Sequence, residues 1–247
     1  MEVSLDHIGH LVDSLDDVAA QLVAAGFQLT PPVQLARGGG EPTGGVQQTF
    51  VTASGYVEVQ ELAELGLDHP LEHLWEFRPV TAVVAWSTDD VSAAVDAARR
   101  AGHQTTDPVT WARDTPDGEA RFSFASLVPS PASGARPGPL HVIVQHHDKD
   151  RVTASSEQPN SMSAIIGYRT ASRLVTALDL SVAPADLAEV TAPVDTVIVR
   201  ADDTDRLLGS MSSIGIEPTD PSGPQLAEAV ATLDARALLG VFIEVCT

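Results

Sequence analysis

Apolar and polar residues alternate along the first 30 residues in the order expected of a strand, a helix and a second strand. Residues 5–12 are mostly apolar, and Ser14 with Asp17 three positions later forms a variant of the capping box that begins a helix. Apolar side chains then recur at spacings of three and four, as on one helix face: Leu15, Val18, Leu22 and Ala25. Gly26 is a natural C-terminal stop, and we expect residues 27–29 to start the second strand.

The same order returns twice further along the chain. Strand-like runs occupy residues 81–86 and 195–200, and each is followed by a helix with apolar residues on one face. An aspartate pair precedes each helix, and either member suits the N-cap: Asp89 or Asp90, and Asp202 or Asp203. Each helix ends at a glycine 19 positions after a fixed point in its strand: Gly26 after His7, Gly102 after Val83 and Gly215 after Thr196. Three copies in register indicate an internal repeat.

Further strand-like runs follow each copy of this pattern. They are residues 46–51 and 56–60 in the first copy, 120–127 and 140–145 in the second, and 229–233 and 240–245 in the third. A turn signal at residues 53–55 separates the first two runs. The repeating unit is therefore βαβββ, and it predicts an α+β fold.

Four such units would fit in the 247 residues. The missing copy falls on residues 161–190, where residues 164–166 and 177–182 look like strands but a clear helix is lacking. We therefore expect a degenerate unit there. The predicted organisation is a first domain at 1–147, with modules at 1–65 and 79–147, followed by a degenerate C-terminal region at 148–247 with a clear module at 193–247.

The charge balance excludes several classes of partner. The 34 acidic residues outnumber the 14 basic ones, which gives a net charge of −20 and a sequence pI near 4.5. Because such a surface repels phosphate, we expect neither nucleic acid nor a membrane surface as a partner. The longest apolar run, residues 82–86, is far too short to cross a bilayer, and the acidic amino terminus is unlike a secretory signal. We expect a cytoplasmic protein.

The cysteine content limits the metal chemistry that the chain can support. Cys246 is the one cysteine of the sequence, so it can form neither an internal disulfide nor a thiolate-rich metal site. Any metal must therefore be held by nitrogen and oxygen atoms.

Several short motifs occur at defined places in the modules. They are Leu5-Asp6-His7-Ile8-Gly9, Gly55-Tyr56-Val57-Glu58-Val59, His69-Pro70-Leu71, Gly138-Pro139-Leu140, Gln145-His146-His147, Pro159-Asn160 and the closing residues 240–245. Together with the βαβββ order they resemble the vicinal-oxygen-chelate superfamily of glyoxalases, bleomycin-resistance proteins and extradiol dioxygenases, and more narrowly its glyoxalase-like domain proteins. The resemblance implies modules that form half-open mixed β-barrels with flanking helices. It is also compatible with a homodimer.

The resemblance further implies a divalent ion inside the barrel, held by side chains of the first and fourth strands of each module. In module one these are His7 and Glu58, whose imidazole and carboxylate suit Zn²⁺, Fe²⁺, Mn²⁺ or Ni²⁺. In module two the first-strand position is Val83, which cannot ligate. The fourth-strand position is Gln145 by the family's pattern, or His141 if it is counted three residues from its glycine. The implied ligands are therefore His7, Glu58 and Gln145, an incomplete set.

Strand alternation predicts which residues of module two face the barrel. One face carries His141, Ile143, Gln145 and His147. We therefore expect His141 and Gln145 to point inward and His146 to point away. In the last module Thr196 replaces the histidine while Glu244 keeps the carboxylate position, so we do not expect a second full metal site there.

Two other motifs match different chemistry, and we do not favour either match. Residues 69–73 fit the inverted zinc-peptidase signature H-x-x-E-H, but Pro70 belongs in the first turn of a short helix, so we interpret this segment as a helical connector. Residues 37–45 are rich in glycine but lack the Gly-Lys-Ser/Thr ending of a phosphate loop and lead towards a strand. We expect a mobile loop at the cavity mouth there.

Two functional hypotheses follow. In the first, the protein is a metal-dependent lyase or isomerase whose ion chelates two neighbouring oxygens of a small metabolite, with Glu58 as ligand and base and His141 as the alternative proton carrier. In the second, it binds a small molecule without a metal and without chemistry, as the incomplete ligand set suggests. The tryptophans would then supply stacking surface if they line the cavity: Trp75, Trp86 and Trp111.

Overall fold

The computed structural model describes residues 3–37, 40–115, 118–128, 137–148, 158–170, 174–176, 193–221 and 228–247. Within them the strands are β1 (Ser4–Leu11), β2 (Val33–Arg37), β3 (Pro42–Thr52), β4 (Gly55–Leu62), β5 (Val80–Ser87), β6 (Val109–Thr115), β7 (Gly118–Leu127), β8 (Leu140–His146), β9 (Met162–Thr170), β10 (Leu174–Thr176), β11 (Val194–Ala201), β12 (Pro218–Thr219), β13 (Ala229–Ala235) and β14 (Val241–Cys246). The α-helices are α1 (Leu15–Ala24), α2 (Val91–Arg100), α3 (Thr204–Ser212) and α4 (Arg236–Leu239), and a 3₁₀ helix spans Glu72–Phe77. The predicted α+β fold is confirmed.

Eight strands close into a barrel in the order β1-β4-β3-β2-β6-β7-β8-β5. Strands β1 to β4 come from the first βαβββ module and β5 to β8 from the second, so each module forms half of the wall. The halves meet where β1 pairs with β5 and where β2 pairs with β6, and both pairs are antiparallel. Closure leaves no free sheet edge around the barrel and encloses an interior.

A second sheet has the order β10-β9-β11-β14-β13-β12. Its strand β11 pairs parallel with β14 and antiparallel with β9, just as β1 pairs parallel with β4 and antiparallel with β5. Strand β9 therefore takes the place of a module's first strand, and the strand predicted at residues 164–166 is confirmed. The strand predicted at residues 177–182 lies outside the described residues, and the domain boundary at residue 147 stays a prediction.

Polar side chains cap the N-termini of α1, α2 and α3, and a glycine follows each of these helices. Each cap accepts a hydrogen bond from the backbone N–H three positions on: Ser14 from Asp17 at 3.2 Å, Asp90 from Ala93 at 2.9 Å, and Asp203 from Arg206 at 3.1 Å. The glycines that follow the helices have positive φ angles: 74° at Gly26, 96° at Gly102 and 83° at Gly215. The repeated cap and stop signals of the sequence therefore have the predicted roles. No helix in the described ranges is long and apolar enough to cross a membrane.

Residues 27–29 do not form the predicted strand, and the second strand of the module is β2 instead. The Phe27 ring packs on Phe50 with centroids 4.6 Å apart, and the Gln28 N–H donates to Gln158 Oε1 at 2.8 Å. These contacts tie the segment to the barrel core and to the chain that leads into β9. These contacts, rather than backbone pairing with a neighbouring strand, hold residues 27–29 in place.

The glycine-rich run also differs from its prediction. Its residues 42–45 belong to β3, where Gly45 pairs with Leu62 of β4. Thr43 fixes the start of this strand, since its hydroxyl donates to Leu35 O at 2.8 Å. The prediction of a loop is therefore wrong for these four positions, and residues 38–39 lie outside the described residues.

One apolar core joins the barrel to the second sheet. Side chains from both sheets and from the helices belong to one contiguous cluster, among them Leu22, Trp86, Tyr168 and Met211. The rings of Trp86 and Tyr168 meet edge to face with centroids 6.3 Å apart. The outer face of the barrel is therefore a packing surface, and the interior is left for other uses.

His10 lies in this core where β1 approaches α4. Its imidazole is 2% exposed, and Nδ1 donates to Leu239 O at 2.9 Å. Burial lowers the pKa of His10 from its ordinary 6.5 to about 4, because the apolar surroundings disfavour the imidazolium more than the hydrogen bond to Leu239 favours it. The folded protein therefore keeps His10 neutral at pH values where the unfolded chain protonates it.

We predict that His10 makes the fold sensitive to mild acid. Because folding lowers the pKa of His10, the neutral ring contributes fully to the free energy of unfolding above pH 6.5. This contribution is lost as pH falls towards 4. Between pH 7.5 and pH 5 this costs about 2 kcal/mol of the free energy of unfolding. In His10→Asn, whose amide donates from the position of Nδ1 and does not titrate, the pH dependence should be smaller by that amount. Urea unfolding at both pH values measures the difference, and equal pH dependence in the two proteins would contradict the prediction.

Candidate active site in the barrel cavity

A cavity of about 640 Å³, including its open mouth, occupies the barrel interior. One side of it is apolar and aromatic and is lined by Val83, Trp111, Phe122, Phe124, Leu140, Val142 and Val144. The other side carries polar groups: His7, Gln47, Tyr56, Glu58, Gln60, His69 and Arg113. An apolar cavity with a few converging polar groups is typical of a small-molecule site.

The three tryptophans lie in different surroundings. Trp111 lines the cavity and contacts Phe124 edge to face with centroids 4.9 Å apart. Trp86 is buried in the outer core, and the Trp75 ring lies 3.3 Å beneath the Arg78 guanidinium. Stacking surface for a ligand therefore comes from Trp111 and its phenylalanine neighbours.

His7 is held in place by a buried carboxylate. Asp6 Oδ2 lies 2.7 Å from His7 Nδ1 and 3.0 Å from His146 Nε2. Burial alone would raise the pKa of Asp6, but the hydrogen bonds from His146 and His7 hold it well below its usual value. Asp6 is therefore a carboxylate anion that fixes the orientation of the His7 ring.

Asp6, His7 and His146 also form a group of potential metal ligands, with one ligand atom of each lying within 4.8 Å of the others. Both nitrogen-to-oxygen distances to Asp6 are hydrogen-bond lengths, which satisfies this carboxylate without an ion. We therefore assign Asp6 to the support of His7, whose other nitrogen faces the cavity.

Glu58 faces His7 from the neighbouring strand. Its Oε2 lies 3.6 Å from His7 Nε2 and accepts a hydrogen bond from Gln60 Nε2 at 2.7 Å. Both His7 and Glu58 are 7% exposed, so water contributes little to their solvation. The structure thus brings together the two residues predicted as ligands in module one, and their metal-binding role stays a prediction.

The geometry between His7 and Glu58 fits a divalent cation. Because Nδ1 of His7 donates to Asp6, the neutral ring has an unprotonated Nε2, and this lone pair faces the Glu58 carboxylate over a gap too long for a hydrogen bond. Two atoms bound to one tetrahedral ion at about 2.0–2.1 Å lie about 3.4 Å apart. The donor types and their spacing are therefore those of two ligands of one ion.

Arg113 and Tyr56 complete the polar side of the site. Arg113 Nη1 is 3.9 Å from Glu58 Oε1, and its guanidinium lies 5.4 Å from the centre of the Tyr56 ring. That ring stacks on His7 with centroids 4.3 Å apart. Burial, reinforced by the charges of Asp6 and Glu58, raises the pKa of Tyr56 well above its usual value, so the phenol keeps its proton.

A family model of the glyoxalase-like domain matches residues 5–185, most of the chain. The chain belongs to the glyoxalase-like domain family. No curated protein sequence gives a significant match.

Solved structures share the fold of this glyoxalase-like protein. A hypothetical protein from Staphylococcus aureus is 11% identical with a TM-score of 0.50, over 100% of this chain and 86% of that chain. A mutant of 4-hydroxymandelate synthase from Streptomyces coelicolor is 10% identical with a TM-score of 0.50, over 99% of this chain and 92% of that chain. Methylmalonyl-CoA epimerase from Streptomyces coelicolor is 20% identical with a TM-score of 0.42, over 60% of this chain and 99% of that chain. At these identities the first two likenesses show a shared fold alone.

In this glyoxalase-like chain the second module offers no ligands at the positions equivalent to His7 and Glu58. The strand registers define the equivalence: His7 pairs with Tyr56 and Gly9 with Glu58 in the first module, and Val83 pairs with Leu140 and Ala85 with Val142 in the second. Val83 therefore corresponds to His7, and Val142 corresponds to Glu58. The second module contributes an apolar wall in place of the other half of a metal site.

The faces of β8 are the reverse of those predicted. Gln145 Oε1 accepts from the Val91 N–H at 3.2 Å at the start of α2, and His141 Nδ1 accepts from Trp86 Nε1 at 3.2 Å in the outer core. The expected inward positions of Gln145 as a metal ligand and of His141 as a proton carrier are therefore wrong. His146, which was expected to point away, contacts Asp6 instead.

Sequence reasoning missed the parts played by Asp6, Arg113 and His146. Alternation places Asp6 and His7 on opposite faces, but the register of β1 against β5 shifts between Leu5 and His7, and this irregularity lets the two side chains meet. Arg113 carries a signal in the sequence, because a lone arginine two residues after Trp111 in a strand is expected on the same face as that ring.

We predict that Gln145 supports α2 and does not serve the cavity. Gln145→Leu removes the acceptor of the Val91 N–H and should lower the free energy of unfolding by about 1 kcal/mol. Gln21→Leu makes the same change at an exposed position of α1 and should leave stability nearly unchanged. Urea unfolding compares the two variants, and equal effects of both changes would contradict this role of Gln145.

Proposed function

We propose that this protein is a lyase or isomerase that moves a proton on a small oxygenated substrate bound in the barrel cavity, with His7 and Glu58 as ligands of a divalent cation. The 3.6 Å spacing of His7 Nε2 and Glu58 Oε2 inside a buried cavity is the observation that carries the proposal. The family membership supports it, because the resemblance implies an ion at these first-strand and fourth-strand positions.

The two ligands leave coordination positions open to substrate oxygens, as in catalytic metal sites. A divalent cation bound there supplies Lewis-acid stabilisation to negative charge that develops on a substrate oxygen. The hydrogen bond from His7 Nδ1 to Asp6 fixes the ring and makes Nε2 a better donor of its lone pair. Asp6 is therefore a positioning residue in this proposal.

Glu58 also has the position of a base. Its Oε2 faces His7, whereas its Oε1 faces Arg113 at 3.9 Å, so the two oxygens have different neighbours. We assign Oε1 to accepting a proton from a substrate carbon next to a carbonyl group. The Arg113 guanidinium then lies where it stabilises the negative charge left on the substrate.

The aromatic wall excludes water from this chemistry. Trp111, Phe122 and Phe124 cover one side of the cavity and contact one another through their rings. In such an environment a charge interacts more strongly with its neighbours than it does in water. The polar groups around Glu58 therefore act at a lower local dielectric.

We predict that the protein binds Mn²⁺ or Zn²⁺ at a ratio of one ion per chain, and that His7→Ala or Glu58→Gln abolishes this binding. Asp6→Asn should weaken it about 10- to 100-fold, since the variant keeps both ligands but loses the anion behind His7. Calorimetric titration of metal-free protein with each ion alone measures the affinity. Gln145→Leu is the control and should bind as the unaltered chain does, because the side chain lies outside the barrel. Equal affinity in the His7 variant and the unaltered chain would refute the ligand assignment.

We further predict that the metal-loaded protein exchanges carbon-bound hydrogen for deuterium next to the carbonyl of its substrate. A panel of small 2-oxo acids and hydroxyketones, incubated with protein in D₂O and followed by proton NMR, identifies the compounds that exchange. Glu58→Gln should slow the exchange by at least about 100-fold, since it removes both the base and a proposed ligand of the ion. Exchange at the original rate in this variant would rule out Glu58 as the proton acceptor.

A second candidate function is the binding of a small molecule without metal or chemistry. Val83 and Val142 favour it, because they make the second module unable to complete a metal site. The metal titration distinguishes the two functions. No binding of any tested divalent ion by the unaltered chain favours the binder, and stoichiometric binding that depends on His7 favours the enzyme.

A further inference from the structure

His69 is a buried polar residue of the cavity that the proposed chemistry does not use. It follows β4 and precedes the 3₁₀ helix, it lines the cavity, and it is 6% exposed. Among the described residues no hydrogen-bond partner lies within reach of its Nε2. A buried ring nitrogen without a partner in a ligand cavity indicates a contact that a ligand completes.

The hydrogen bonds of the ring decide whether Nε2 donates or accepts. The Leu71 N–H donates to His69 Nδ1 at 3.2 Å, so Nδ1 is the acceptor and the neutral ring carries its hydrogen on Nε2. Burial lowers the pKa of His69 to about 4, although Glu72 opposes this effect and Arg37 adds to it. At neutral pH this cavity-lining ring is therefore uncharged, and its buried Nε2 carries the hydrogen.

The loop that carries His69 is held from both sides. Glu72 Oε1 accepts from the N–H groups of Gly66 at 2.9 Å and Leu67 at 3.1 Å. Arg37 Nη2 donates to the carbonyls of Leu67 and Asp68. The donor is therefore fixed before a ligand arrives, which reduces the entropy that binding must remove.

Gly45 makes room for the His69 ring. A Cβ at this position would lie 2.8 Å from His69 Nε2, closer than such contacts occur, so a side chain here would move the ring from its position against β3. Thr49 lies four residues after Gly45 in the same strand, and it pairs with Glu58 of the proposed ion site. At about 3.4 Å per residue, the backbones of Gly45 and Thr49 lie roughly 13 Å apart along β3, so His69 and Glu58 come from different levels of the barrel.

We propose that His69 is a specificity residue whose Nε2–H donates to an uncharged acceptor oxygen of the ligand, a carbonyl or hydroxyl on an apolar body. This proposal rests on the cavity being a ligand site, as in the proposed function, but it does not require the metal. A ligand that also reaches the ion site has two polar ends separated by an apolar body. The apolar wall packs against the body between them.

The test compares two neutral probes of the same shape, 4-phenylbutan-2-one and its hydrocarbon isostere 2-methyl-4-phenylbut-1-ene, which has a methylene group in place of the carbonyl oxygen. NMR titration of metal-free protein measures their affinities. The ratio of ketone affinity to alkene affinity should be about three- to ten-fold higher in the unaltered chain than in His69→Phe, as expected for one hydrogen bond. This difference in ratio is the ketone preference, and His69→Gln, whose amide donates from near the position of Nε2, should restore part of it.

Two further variants sharpen the result. Gly45→Ala should weaken ketone binding and not alkene binding, because its Cβ displaces the imidazole. His73→Gln changes the exposed histidine of the same segment, whose Nδ1 contacts Pro70 O at 2.9 Å, and should leave both affinities unchanged. The same ratio of ketone to alkene affinity in the unaltered chain and in His69→Phe would overturn the proposal, as would binding of neither probe.

The same titration in Glu58→Gln separates this proposal from the proposed function. The ketone preference should persist there, since Glu58 lies at the other end of the cavity. A lost metal affinity with a retained preference supports both proposals. A retained preference in an unaltered chain that binds no metal removes the metal chemistry and leaves the His69 contact standing.

Discussion

The parallel pairing of β1 with β4 is the constraint on which the site depends. It places Gly9 opposite Glu58, so the carboxylate crosses in front of a residue that has no side chain and reaches His7 two positions earlier. A Cβ at Gly9 would lie 3.5 Å from Glu58 Oε2 and 3.0 Å from the Cβ of Val83. The register and the small residue together leave a gap between imidazole and carboxylate that suits an ion.

Much of the fold follows from local signals that repeat. Ser14, Asp90 and Asp203 cap helices, and each of these helices is followed by a glycine. The last two strand-like runs of each unit also correspond to strands of the structure. Local sequence signals do not show which segments pair or pack with residues that are distant in the sequence. Phenylalanine is common in strands, but the Phe27 ring packs on Phe50 and the residue lies outside the strands. Glycine is common in loops, but Gly45 pairs with Leu62 in β3 and β4. Tertiary packing decided both cases.

The candidate site was predictable to the extent that it follows strand order. His7 and Glu58 come together because first and fourth strands of a module are neighbours. The face of β8 was not predictable, because alternation gives two faces and only the register with β5 shows which one is inside. Asp6 was hidden by the same rule, since a shift in the pairing of β1 turns it towards His7. His69 had no strand to place it at all.

The duplication of the module accounts for the character of the cavity. Both halves of the barrel have the same strands, but Val83 and Val142 of the second module stand at the positions of His7 and Glu58. Apart from Arg113, the residues of the second module that line the cavity are apolar or aromatic. A polar group of a ligand turned towards the apolar half would lose its water without gaining a partner, which is costly in a closed interior. A ligand therefore has one orientation around the barrel axis, with oxygens towards the first module and Arg113, and carbon towards the apolar and aromatic wall of the second module. His69 then adds a preference along the axis, because its donor lies near the end of the cavity away from Glu58.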